Sequence, residues 1–256
     1  PNGDGREARA NATDRQLGYP AMDSIRRLQP DFFVGAGDNV YYDHPAKTAA
    51  QTLPELRRKW HEQFVLPRVV DMVGQVATFW MKDDHDYRYN DADRTGHKAP
   101  AHELGVRTFR EQLPVVPSPD SAEVTYRTVR CGQLLQVWMV EGRDYRSPNN
   151  SPDGPKKTIW GAKQKAWLKR TVLASDAPFK ILISPTPMIG PDDAYKTDNH
   201  TSGFRQEGEE IFAWLKASRQ KNFYIMTGER HWHYHSRPPT GYEEFACGAL
   251  NTENSR

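Results

Sequence analysis

Three short segments carry side chains whose types and spacing could do chemistry. The first is Gly37-Asp38-Asn39-Val40-Tyr41-Tyr42-Asp43, in which a carboxylate follows a glycine at the end of an apolar run. A carboxylate just past a strand can bridge two cations, although an Asp there can equally cap the turn that follows. The second segment runs from Trp80 to Asp91 and packs Asp83, Asp84, His85 and Asp86 side by side. Carboxylates crowded this way repel one another unless a cation or base is near; the plainer alternative is a solvated acidic turn. The third is Thr227-Gly228-Glu229-Arg230-His231-Trp232-His233-Tyr234-His235. If it stays extended, His231, His233 and His235 share a face. Imidazoles suit transition metals such as Zn or Fe, and the alternative is a strand packed on its own aromatics. Together, Asp and His donors of this kind point to a site that activates water and binds phosphoryl oxygens.

Each segment follows an apolar run that reads as a buried strand: 31–37, 76–81 and 223–227. In open α/β sheets, ligand sites form past such strand ends. Further strands are expected at 124–129 and 134–140, joined as an antiparallel hairpin, and at 179–184. Helices are expected at 21–28, 53–73 with a break at Pro67, 101–113, 161–174 and 207–215. Residues 1–16, 146–158 and 185–203 read as loops. This alternation predicts an α/β fold with a mixed sheet.

With 256 residues, 37% of them hydrophobic, one domain over 1–256 is the expectation. The 35 basic and 33 acidic residues nearly cancel to a net charge of +2, which argues against a dedicated nucleic-acid or membrane-surface binder. No apolar run is long enough for a membrane-spanning helix. Cys131 and Cys247 make no disulfide framework, and both read as buried thiols.

The chain resembles the PhoD-like alkaline phosphatase/phosphodiesterase family, a branch of the calcineurin-like metallophosphatases. The resemblance rests on Gly37-Asp38-x-x-Tyr41, on Trp80-x-x-Asp83-Asp84-His85-Asp86 and on Gly228-Glu229-x-His231, where Glu229 stands in the place of the family's usual Asp. Gly161 to Leu168, Ser184 to Met188 and Glu141 to Arg146 add to it, over residues 18–250. It implies a four-layer α/β/β/α sandwich with mixed sheets and hydrolysis of small phosphoesters by metal-activated water. It also implies two divalent or trivalent metals, of Fe, Zn, Mn or Ca. Asp38, Tyr41, Asp84, Glu229 and His231 would be the ligands. His85 would be catalytic, with Asp86 orienting it. The family's N-terminal strand, which supplies a Cys or Asp/His ligand, is expected to lie outside this chain, so an impaired member that only binds phosphate-bearing ligands is the alternative. Family members are often exported, giving a periplasmic or secreted expectation.

Other residues are read individually. Arg143 and Arg146 could clamp phosphate bidentately, with Arg143 counted as catalytic, or pair with Asp144 or another acid. His200, in the long loop 185–203, and His233 are read as substrate contacts with Arg146. Lys82 is read as an exposed charge rather than a substrate contact. Trp60, Trp160, Trp167 and Trp214 are read as core.

Overall fold

The structure, a computed structural model, describes residues 11–115, 124–193, 195–239 and 241–250. These divide into two compact units: the described residues within Pro1–Ala92, Gly96–Val115 and Gly248–Arg256, and those within Asp93–Thr95 and Val116–Cys247.

In the first unit, strands β1 (Phe32–Ala36) and β2 (Ala77–Met81) form a two-stranded parallel sheet, with Ala36 paired to Met81. Parallel pairing needs a long crossover. Helices α3 (Leu53–Phe64) and α4 (Pro67–Gln75) supply it. Glu55 accepts the Thr52 amide at 2.9 Å and so starts α3, and the break expected at Pro67 separates the two helices. Helices α1 (Ala12–Leu17) and α2 (Pro20–Arg27) precede β1, and α5 (His102–Gln112) follows β2. Trp60, Phe109 and Trp80 anchor one core, and Tyr19, Val69 and Met72 another. The loop expectation for 1–16 is corrected where the residues are described. Asn11 accepts the Asp14 amide at 2.8 Å, and Arg68 holds Asp14 at 2.6 Å, so the polar segment becomes helix.

The second unit holds a six-stranded mixed sheet of order β3-β4-β5-β6-β8-β7. Strands β3 (Arg127–Cys131) and β4 (Leu135–Met139) form the expected antiparallel hairpin. Strands β4, β5 (Phe179–Ile183), β6 (Phe223–Thr227) and β8 (Glu243–Ala246) run parallel, while β7 (Tyr234–Ser236) closes the edge antiparallel. Helices α6 (Gly161–Ala174) and α7 (Arg205–Ala217) bury Trp167, Leu168, Ile211 and Leu215 in a core with Trp138, Trp160 and Ile225. Trp214 is partly buried against it. The α/β class with a mixed sheet therefore holds. Among the described residues no helix is long and apolar enough to cross a membrane. Both cysteines are free thiols; Cys131 is half-buried and Cys247 exposed, neither buried as expected.

Candidate functional site

In the first unit, the parallel register of β1 and β2 brings both strand exits to one edge, so the loops carrying Asp38 and Asp83–Asp86 emerge together. Gly37 makes this possible. Its φ is +117°, and a Cβ there would lie 2.6 Å from the Asp83 Cβ. Only a glycine tolerates both the backbone angle and the approach. Asp38 follows with φ +54°, a left-handed conformation uncommon for a residue with a side chain. Such outliers gather at functional sites.

Asp86 fastens the two loops together. Fully buried, it accepts from the Asn39 amide at 3.0 Å, Asn39 Nδ2 at 2.6 Å and the Asp83 amide at 2.7 Å. This corrects the expectation that Asp86 orients His85. That work falls to Asp43, whose Oδ1 lies 2.7 Å from His85 Nδ1 and whose Oδ2 accepts the Asn90 amide at 2.9 Å. Burial alone would raise the Asp43 pKa. The His85 hydrogen bond and charge more than offset it and hold the carboxyl below its usual range. An ionised Asp43 can only accept, so His85 Nδ1 must donate. The Tyr41 ring stacks on the imidazole at 4.1 Å. The Tyr41 hydroxyl donates to Asp38 Oδ2 at 2.8 Å.

The charge balance here calls for a cation. Asp38, Asp83, Asp84 and Asp86 are all buried. Burial, then the Asp38 charge, pushes the Asp86 pKa well up. Burial opposes charge on His85, but Asp84, Asp38 and the Asp43 hydrogen bond outweigh it and lift the pKa to about 10. Asp38, Asp84 and His85 offer donor atoms within 4.8 Å of one another. Asp84 Oδ1 and Oδ2 accept the amides of His85 at 2.9 Å and Asp91 at 2.5 Å, which fixes the carboxylate in place. Hard oxygen donors, pre-oriented and mutually repelling, fit a metal ion. Lys82 corrects its expectation: it is buried, with its ammonium 5.3 Å above the Tyr87 ring and 5.8 Å from that of Phe109.

In the second unit, the exits of β4, β5 and β6 carry Glu141–Arg146, Ser184–Met188 and Gly228–His231. The amides of Gly228 and Glu229 both donate to the Pro185 carbonyl, at 3.3 and 3.1 Å, tying two of these loops together. His231 closes a turn onto Gly228 with φ +59°, so the segment is not extended there. His231, His233 and His235 therefore form no common face. His233 is exposed, and His235 stacks on Phe245 and lies 2.6 Å from Glu243.

Arg143 is fully buried, with Nη2 3.9 Å from Asp198 Oδ2. Arg146 donates to the Gly142 carbonyl, Asn149 Oδ1 and the Asp198 carbonyl at 2.7–3.1 Å, bracing the long loop. Burial would raise the Asp198 pKa, yet Arg230, Arg143 and Arg146 hold it well below the carboxylate range. His200 is buried against Trp160 with Nε2 3.1 Å from Glu207. Glu207 also accepts from the Thr158 hydroxyl and the Ile159 amide. Burial opposes ionisation of Glu207, but His200 and these donors bring its pKa down to about 2. Sequence reasoning missed Asp43, although it closes the first motif. It also missed Glu244, which is buried and accepts the amides of Met188, Ile189 and Gly190 at 2.8–3.0 Å.

Comparison with known proteins agrees with this geometry. Alkaline phosphatase D of Bacillus subtilis (strain 168) is 22% identical over 260 residues, covering 90% of this chain and 44% of its own length. The chain thus spans less than half of that relative. Among solved structures, PhoD shares the fold with a TM-score of 0.78 at 19% identity, over 93% of this chain and 55% of that one. A dimetal phosphatase from Danio rerio gives 0.61 at 11% identity, over 97% and 86%. Residues 10–256 match the PhoD-like phosphatase family model, and the chain belongs to that family.

Proposed function

We propose that the chain hydrolyses small phosphomonoesters or phosphodiesters with the help of two metal ions. The observation that carries this reading is the buried cluster of Asp38, Asp83, Asp84 and Asp86 beside the Asp43–His85 pair. Asp38, Tyr41 and Asp84 are the proposed ligands from the first two motifs. Glu229 and His231 complete the set from the third, on the strength of the family membership. Fe, Zn, Mn and Ca are the candidate ions. Bound metals would supply Lewis-acid stabilisation of the phosphoryl oxygens and an activated water.

The protein's own groups do the rest. Asp43 holds the imidazole through Nδ1, and His85 presents Nε2 to give a proton to the leaving oxygen. Asp86 keeps the two loops in register and so acts through structure. Arg143, with its guanidinium fully buried, is the proposed electrostatic partner of the developing phosphoryl charge. Arg146 and His200 are proposed to brace the loops that would meet substrate, and the exposed His233 to contact it. We further propose action outside the cytoplasm, in line with the exported members of the family.

The test is hydrolysis of aryl phosphate mono- and diesters after loading with Mn, Zn, Fe or Ca, compared with the His85→Ala variant. Turnover that collapses in the variant while metal stays bound supports the reading. Failure of every metal-loaded sample to turn over either substrate class overturns it.

A further inference from the structure

The third motif carries an arginine between its two proposed ligands, and the second unit shows what that arginine does. Arg230 is buried, with only 6% of its surface exposed. Its Nε and Nη2 fork onto the two oxygens of Asp192 at 2.6 and 3.3 Å, and Nη2 also donates to Asp198 Oδ1 at 2.6 Å. A guanidinium held by a bidentate fork has little rotational freedom left. The remaining arm, Nη1, donates to Glu229 Oε1 at 2.9 Å. Burial works against the Arg230 charge, but Glu229, Asp198 and Asp192 dominate and keep it firmly protonated.

Glutamate has one more rotatable bond than the aspartate usual at this place, so its carboxylate needs an external restraint to sit where a metal requires it. The backbone is already fixed by the Glu229 amide on the Pro185 carbonyl at 3.1 Å. The Nη1 hydrogen bond acts on the side-chain torsion. We infer that Arg230 is a positioning residue for Glu229: anchored on Asp192, it holds Oε1 and thereby presents Oε2 as the donor oxygen for a divalent cation. The inference rests on the reading of Glu229 as a ligand.

Mn2+ alone is the probe. Its affinity is measured by titration calorimetry on the full chain and on variants at Glu229, Arg230 and Asp192, with thermal unfolding in chelator as the control for folding. Glu229→Ala should weaken Mn2+ binding at least tenfold. Arg230→Lys keeps the charge but loses the fork, and should weaken binding by roughly 10- to 100-fold, the range for residues that orient a ligand. Asp192→Asn leaves Arg230 in place with a weaker anchor, and should give a smaller loss in the same direction. In Glu229→Asp the shorter carboxylate no longer reaches Nη1, so adding Arg230→Lys should cost less than about threefold more. If Glu229→Ala loses affinity while Arg230→Lys and Asp192→Asn stay within about threefold of the unmodified chain, the positioning role is wrong and the ligand stands. If Glu229→Ala binds Mn2+ normally, the ligand reading itself falls.

Discussion

Replacing Asp43 by Asn removes one charge and keeps the volume, so it isolates the contribution of the Asp43–His85 contact. The pair lies 2.7 Å apart, with side chains 13% and 18% exposed, so solvent screens it only in part. A charge-assisted hydrogen bond of this kind contributes about 1.5–3 kcal/mol. At about 1.4 kcal/mol per decade, that corresponds to roughly a 10- to 100-fold fall in kcat. The amide can also present its NH2 to Nδ1, which excludes a proton there and so disfavours the imidazolium that would give up its Nε2 proton. With His85 in its proposed role, kcat and kcat/KM should fall together, with KM little changed. The assay is steady-state hydrolysis of an aryl phosphodiester, with metal content measured on the same samples. An Asp43→Asn protein with full metal and kcat within about twofold of the unmodified chain would refute the assignment of Asp43 to His85.

Three further outcomes follow from the same geometry. Glu207 is held at a pKa of about 2 against a usual 4.5, so its ionisation stabilises the fold above pH 4.5 and loses that effect as pH falls toward 2. The gap corresponds to about 3 kcal/mol, so urea unfolding should find Glu207→Gln weaker by that order at pH 7 and by much less at pH 3. An equal deficit at both pH values would contradict the sign. Gly37→Ala must accept a φ of +117° and a Cβ 2.6 Å from that of Asp83. It should lose roughly 2–4 kcal/mol in chemical unfolding and also metal affinity, and a neutral result would show that the loop relaxes freely. Trp138 is fully buried and donates to Thr171 Oγ1 at 2.9 Å, so Trp138→Ala should lower stability by about 3–5 kcal/mol with no direct effect on metal affinity.

Much of the fold was legible because the strands β1, β2, β5 and β6 are short apolar runs closed by glycine, serine or charge. The α3–α4 break was legible because Pro67 cannot continue a helix. Strand β8 was not, because its sequence Glu-Glu-Phe-Ala looks solvated. Glu244 is nevertheless buried, since three loop amides and the Tyr234 hydroxyl, at 2.7 Å, satisfy it. Lys82 misled for a related reason. A lysine beside aspartates reads as surface, but two aromatic rings accept its ammonium. A shared face for His231, His233 and His235 depended on an extended chain, and the left-handed φ of +59° at His231 removes that condition. The Asp43–His85 pair spans 42 residues, and nothing local in the sequence reports a contact of that kind.

The central claim is that Asp38, Tyr41, Asp84, Glu229 and His231 hold metal for phosphoester hydrolysis. Metal analysis of the purified chain beside Asp38→Asn and Asp84→Asn, with diester turnover on the same samples, tests it most directly. The unmodified chain should bind about two metal ions and turn over substrate, and each variant should lose metal and activity together. A chain that hydrolyses the diester after exhaustive chelation, or variants that keep their full metal content, would contradict it.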